Sequence, residues 1–188
     1  MREMQLPGMT IVADLSIPES AERILNSIFL TGGVVLSQVS QMTGLKSHVI
    51  QNWVKRGFVS SPVSKKYSKR QFCRIVIINM LKDSLQIDTI TKLISYINGE
   101  LDDESDDIID DSILYNLFVH IASALASDKL LTFDNIDTAV RDALSRYNEP
   151  NEESRLRLFN VLKVMTAAFL SAQYKKMADS SLISAGVI

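Results

Sequence analysis

Basic side chains are concentrated in the middle of the chain, where they could bind an anionic partner. Residues 31–82 hold nine Lys or Arg and no Asp or Glu, whereas the other residues hold the remaining 11 basic and all 22 acidic groups. Such separation of charge indicates a surface that meets phosphates or another acidic partner. The candidates for phosphate contact are Lys46, Lys55, Arg56, Lys65, Lys66 and Lys69.

The elements that position these side chains begin with two short predicted helices. Apolar stripes lie on both sides of the turn Thr43-Gly44-Leu45, which is the sequence outline of a helix-turn-helix. The second helix is predicted over residues 46–56, where Ser47 is placed to cap it and Gly57 to end it.

The second helix is predicted to have two distinct faces. His48 and Gln51 share a polar face with Lys55 at helical spacing. Val49 and Trp53 lie on the opposite face, so Trp53 is expected in the core. A helix with this division of side chains can enter a groove of a nucleic acid with its polar face.

The stretch "FVSSPVSKKY" follows this helix and favours a small wing or hairpin, because Pro62 interrupts any helix there. Residues 60–67 form this predicted wing, and Tyr67 is expected to attach it to the domain. Ser68 and Gln71 have capping-box spacing and are predicted to open the next helix.

The chain is predicted to be all-α, with a short β wing compatible with the pattern and a C-terminal helical bundle. Residues 1–16 are expected to lie loosely. The predicted divisions are an N-terminal helix and helix-turn-helix domain (1–99), an acidic linker (100–111), a C-terminal helical domain (112–178) and a flexible tail (179–188). The acidic linker has two interpretations, a solvated connection or an internal mimic of phosphate that covers the basic face.

The order of these features resembles the MerR-like helix-turn-helix. The pattern is also similar to a bacterial family known as domain of unknown function 1836. Its skeleton is present here as Asn52, Trp53, Val54, Lys55, Pro62, Lys65, Lys66, Tyr67, Ser68, Leu81 and Lys82. The resemblance covers about residues 15–125 and is most specific for residues 43–94.

This resemblance implies a DNA-binding domain, with helix 46–56 in a major groove and loop 60–67 on the backbone. Typical MerR recognition helices carry an Arg-aromatic-aromatic run, whereas the matching positions here are Gln51, Asn52 and Trp53. One phosphate contact of that family is therefore missing. The candidates to contact bases are His48, Gln51 and Asn52, since amides can bind adenine through two hydrogen bonds. The long dimerisation coil of MerR regulators is also absent from the sequence pattern.

No catalytic motif occurs, and we expect neither an enzyme nor a cofactor or metal site. HExxH, CxxC, GxSxG, P-loop and dinucleotide patterns are all missing. Cys73 has apolar neighbours and is expected in the core, and His120 is expected to have a structural role. A single cysteine and no secretion leader favour the cytoplasm, and the short apolar runs predict no membrane span.

Two functions from different classes fit these observations. The first is a bacterial transcriptional regulator that binds double-stranded DNA, as a homodimer with two half-sites about one helical turn apart. Its C-terminal helices would supply the dimer contact or sense an effector. The second is a protein-interaction adaptor that retains the fold without DNA binding. RNA binding is a weaker third interpretation, because the wing lacks aromatic side chains for stacking.

Overall fold

A computed structural model describes residues 3–15, 17, 19–126, 132–148 and 150–187. The described chain is mostly helical, as predicted, with eight helices and four short strands. In chain order the elements are β1 (Glu3–Gln5), β2 (Val12–Asp14), α1 (Ser20–Phe29), β3 (Val34–Val35), α2 (Leu36–Thr43), α3 (Ser47–Lys55), β4 (Lys66–Tyr67), α4 (Lys69–Leu81), α5 (Ile87–Asn98), α6 (Asp111–Leu125), α7 (Phe133–Leu144) and α8 (Glu152–Ser184).

The N-terminal segment forms an antiparallel hairpin of β1 and β2, in which Met4 pairs with Ala13. Its turn enters the core, because Leu6 and Met9 are almost fully buried. Tyr115 of α6 donates a hydrogen bond to the Pro7 carbonyl over 2.9 Å. The expectation that residues 1–16 lie loosely is therefore wrong for the described part of this segment.

Helix α4 lies at the centre of the molecule. Nine of its thirteen residues are buried, and it contacts α2, β4, α5, α6 and α8. A helix that is apolar on all sides must be covered on all sides. Phe72, Ile75 and Ile77 are fully buried, and so is Cys73, as the sequence predicted.

Helices α6, α7 and α8 pack against one another, and α6 and α8 also pack against α4. Phe118 of α6 meets Phe169 of α8 edge to face, with 5.4 Å between ring centroids. Buried residues on both sides of the acidic segment 100–111 belong to one hydrophobic core. Residues 1–99 and 112–178, which were predicted as separate domains, therefore pack together through α4.

Helix α8 is the longest element and continues through Ser184. The sequence predicted a flexible tail from residue 179, but residues 179–184 are helical. Ala172 is the last buried residue of the helix, and every residue from Gln173 to Val187 is exposed. Among the residues that the structure describes, no helix combines the length and hydrophobicity needed to cross a bilayer.

Candidate nucleic-acid interface

Helix α3 has one face in the core and one in solvent. Ile50 and Trp53 are buried on the inner face, which confirms the prediction for Trp53. The exposed side chains are His48, Gln51, Asn52 and Lys55. The three candidates for base contact therefore lie in solvent on one short helix, with Lys55 in its last turn.

The ends of α3 follow the predicted boundaries with one difference. Gly57 adopts a left-handed conformation with φ 74° just beyond the helix, as a terminating glycine should. The predicted cap at Ser47 is wrong, because Lys46 occupies the N-cap position with extended backbone and no side-chain cap. Lys46 is thereby exposed at the end of α3 where backbone N–H groups favour anions.

The predicted wing contains a tight hairpin. Strand β4 pairs with β3, and Val63 faces Lys66 across the turn, where the Lys66 N–H donates to the Val63 carbonyl over 2.9 Å. Ser64 and Lys65 both have positive φ, 50° and 63°. Two left-handed residues make a type I′ turn, which usually carries Asn-Gly. The turn therefore holds Lys65 in solvent at the wing tip in a strained conformation.

Two side chains fix the wing to the domain. Tyr67 of β4 is buried, as predicted, and burial raises its pKa. Gln71 and Ser68 form the predicted capping box at the start of α4. The Gln71 amide nitrogen also donates to the carbonyls of Ser60 and Ser61, over 3.3 and 2.9 Å. The wing is therefore attached at both ends to the central helix.

A groove of about 670 Å³ separates α3 from the wing and the start of α2. Gln51 and Lys65 line this groove, together with Ser37, Ser47 and Pro62. The fold thus brings together one candidate for base contact and one for phosphate contact. His48 and Asn52 are exposed outside the residues that line this groove.

The six candidates for phosphate contact fall into two sets. The Arg56 guanidinium lies 3.5 Å from the Asp88 carboxylate and 4.5 Å above the Phe58 ring, and Lys69 donates to Asn26 over 2.7 Å. The other four are exposed, with no side-chain hydrogen bond or ion pair to any residue described: Lys46, Lys55, Lys65 and Lys66. An anionic partner could therefore bind these four ammonium groups without breaking an existing ion pair or hydrogen bond.

The acidic segment contacts α4 rather than the candidate interface. Arg70 pairs with Asp107 and also lies 3.6 Å from Glu104. Burial alone would lower the pKa of Arg70, but hydrogen bonding to Asp107 and the nearby carboxylates raise it. Among the described residues, the ion pairs of segment 100–111 are with Arg70 and Arg74 and with none of the six candidates for phosphate contact. The interpretation of this segment as a phosphate mimic that covers the basic face has no support from these contacts.

Asp111 is the buried end of this acidic segment. Arg74 donates to both of its carboxylate oxygens over 2.7 and 3.3 Å, and Asn98 donates to one of them over 3.2 Å. Burial raises the pKa of Asp111, and the arginines oppose that effect. Arg70 and Arg74, four residues apart on a helix without acids, were the only sequence signal for this site.

Cys73 and His120 are the side chains that could have indicated catalysis or metal binding, and both lie in environments typical of structural residues. Cys73 is fully buried, as predicted, and burial raises the pKa of its thiol. His120 lies 3.2 Å from the Asp142 carboxylate on the surface of α6. Within the described ranges, no group of three His, Cys, Asp or Glu side chains is arranged to hold a metal ion.

Comparison with known families places the whole candidate interface in a recognised domain. A family model described as "Domain of unknown function (DUF1836)" matches residues 18–118, more than half of the chain. The chain belongs to this family. The DUF1836 match covers α1 to α5 and the first half of α6, including α3, the wing and Asp111. The family predicted from the sequence is confirmed, while the MerR-like likeness stays a prediction.

The DUF1836 chain is also similar to a curated relative. "Uncharacterized protein YkrK" of Bacillus subtilis (strain 168) is 27% identical over 161 residues, which are 78% of this chain and 69% of the relative. No solved structure matches the chain.

Proposed function

We propose that this DUF1836 protein is a DNA-binding transcriptional regulator with a MerR-like winged helix-turn-helix. Helix α3 would enter the major groove, and the hairpin at Ser64-Lys65 would contact the backbone as the wing. The observation that carries the proposal is the set of four unpaired lysines around the exposed polar face of α3. Phosphate contacts supply most of the affinity of such proteins, and contacts to base edges supply specificity.

The proposed division of roles follows from the side chains available. Lys46, Lys55, Lys65 and Lys66 would bind phosphates as point charges. Gln51, Asn52 and His48 would donate and accept hydrogen bonds at base edges, the amides favouring adenine. Arg56 and Lys69 would join the interface only after leaving Asp88 and Asn26. The chain would thus act by binding, with no catalytic step.

A charge-reversal experiment tests the proposed surface. Lys55→Glu with Lys66→Glu is expected to abolish duplex binding, because both cations become repulsive toward phosphate. Retention of duplexes selected from a random pool measures this. The matched control is Lys92→Glu with Lys175→Glu, which changes net charge equally at exposed positions of α5 and α8. The control should bind normally.

The same selection, repeated at two salt concentrations, tests sequence specificity and symmetry. An enriched motif with dyad symmetry is expected for a homodimer with two copies of α3. Equal binding by the reversed and parent proteins would reject the surface. Equal loss in the reversed variant and its control would show that overall charge alone determines binding.

The adaptor hypothesis keeps one specific observation in its favour. The groove beside α3 has apolar walls that include Val35, Leu36 and Val54. Such a groove suits a peptide with apolar and acidic side chains as well as it suits a nucleic-acid backbone. A protein partner that survives nuclease treatment, together with no retained duplex, would establish this function instead.

A further inference from the structure

A cavity of about 570 Å³ lies between the N-terminal hairpin and helices α4, α6 and α8. This volume is within the range of small-molecule sites, roughly 300–1,000 Å³. The lining is mainly apolar. Met4, Phe169 and Leu170 are partly exposed, whereas Leu6, Met9 and Phe118 are closed within the core. A ligand would bury an apolar body against the partly exposed side chains.

Three charged side chains line the cavity. Lys82 and Lys176 lie on either side of Asp83, with ammonium–carboxylate distances of 3.3 and 3.4 Å. Burial tends to raise the pKa of Asp83, but the two lysines lower it overall, so this carboxyl is ionised at neutral pH. Among the described lining residues these three are the only charged ones, which leaves one positive charge in excess.

We propose that this cavity binds a medium-chain monocarboxylate, with its hydrocarbon chain against the apolar lining and its carboxylate sharing the ammonium groups of Lys82 and Lys176 with Asp83. The excess positive charge favours an anionic head group over a cationic one. One carboxylate matches one excess charge, and the flexible lysine side chains can reach it while their stems cover apolar surface. A medium-length alkyl chain gains free energy by burial against the apolar lining, whereas a small polar anion has no apolar surface to bury.

The cavity wall is joined directly to the end of α2. The Thr10 N–H donates to the Met42 carbonyl over 2.8 Å, and its hydroxyl donates to the Gln41 carbonyl over 2.9 Å. The Asn79 amide donates both to Gly8 and to Thr43, over 2.8 and 3.0 Å. A ligand that moves the wall therefore changes the support of the turn before α3.

The N-terminal hairpin packs closely against α4 at Gly8. Gly8 has φ 74°, and a Cβ at this position would lie 2.5 Å from the Val76 carbonyl oxygen. The wall therefore has little space to move toward α4. A ligand in the cavity would instead shift the hairpin and change its hydrogen bonds to the end of α2. This regulatory part of the inference rests on the proposed DNA-binding function, whereas ligand binding itself does not.

Calorimetric titration of the full chain tests the site with three probes of equal chain length, decanoate, decanol and decylamine, all below their micelle concentrations. Decanoate is expected to bind saturably with one molecule per chain and more tightly than the other two. Lys82→Gln with Lys176→Gln should weaken decanoate binding roughly tenfold or more, through loss of the charge-assisted contacts. Lys92→Gln with Lys175→Gln is the control and should change nothing.

A second variant tests the cavity itself. Ala122→Phe places a ring in the space between α6 and the N-terminal wall and should prevent decanoate binding. If this variant does not fold, the surface lysine pair still decides the proposal. The absence of saturable decanoate binding would overturn the site, and so would equal binding of decylamine or an unchanged affinity in the Lys82/Lys176 variant.

Two readouts separate the site from its regulatory effect. Hydrogen exchange at the Thr10 and Gly44 amides should change when decanoate binds, because both report on the contact with α2. Duplex affinity should change roughly tenfold, and duplex should change decanoate affinity by the same factor. Unchanged exchange would overturn the coupling. Decanoate binding without any duplex binding would retain the site and reject the proposed function.

Discussion

Asp111 is a carboxylate in the core whose charge is held by Arg74. Both side chains are nearly inaccessible to solvent, with 1% and 4% exposed. Taking two charges out of water costs free energy, and their hydrogen bonds offset this cost only while both partners are present. The pair joins the central helix α4 to the first residue of α6. Its integrity therefore affects the packing of both parts of the molecule.

We expect Asp111→Asn to lower the free energy of unfolding by about 3–5 kcal/mol, because Arg74 would stay charged and buried without its partner. Urea denaturation followed by circular dichroism measures the change. Asp102→Asn is the control in the same acidic segment. Asp102 is exposed, and its substitution should leave the midpoint unchanged.

Replacing both charges should recover much of this loss. Arg74→Met with Asp111→Leu buries no charge and keeps a similar volume, so its stability is expected to exceed that of Asp111→Asn. A single Asp111→Asn variant that unfolds at the parent urea concentration would show that Arg74 does not depend on this carboxylate.

The end of helix α8 from Gln173 onward has no buried residue, although Lys176 in this end pairs with Asp83. Exposed apolar side chains in this end are Tyr174, Met177, Leu182 and Ile183. Helices in water depend mainly on packing of an apolar face, so an exposed apolar end favours contact with another surface. In the proposed regulator that surface is the same helix of a second copy, which would supply the dimer contact.

Ending the chain after Ala172 tests this role of α8. The shortened protein is expected to stay folded, since Ala172 is the last buried residue of the helix, and to be a monomer at concentrations where the full chain is a dimer. Sedimentation equilibrium measures the mass. A full chain that is already monomeric, or a shortened chain that still dimerises, would contradict the assignment of this helix end.

At the scale of the whole molecule, charge is divided between the basic segment 31–82 and an acidic remainder. Part of the acidic charge is used internally, because Asp107 and Asp111 meet arginines of α4. Asp88 likewise meets Arg56 beside the interface. Fewer basic side chains are therefore available to bind phosphate than the sequence contains.

The salt dependence of duplex binding measures how many of these lysines contact phosphate. Four phosphate contacts predict that the logarithm of affinity falls with the logarithm of salt concentration at a slope of about −3.6 per copy. Six contacts, which require Arg56 and Lys69 to leave their partners, predict about −5.4. Lys65→Gln should reduce the slope by about 0.9. A nearly flat dependence would exclude phosphate contact as the source of affinity.

The sequence by itself determined the local elements, because helix caps, stops and apolar spacing depend on near neighbours. The Ser68–Gln71 capping box, the stop at Gly57 and the burial of Trp53 and Cys73 were predicted correctly. Ser47 was wrong as a cap because the turn places Lys46 at that position. The roles assigned to the lysines and to Gln51 stay predictions.

Only the tertiary structure decided which distant residues meet. Arg74 and Asp111 are 37 positions apart, and the cavity walls come from segments at both ends of the chain. The N-terminal hairpin was missed because its ordering depends on packing of Leu6 and Met9 against other helices. Contacts of this kind leave no periodic pattern in the sequence, since they are set by how whole elements pack rather than by spacing along one of them.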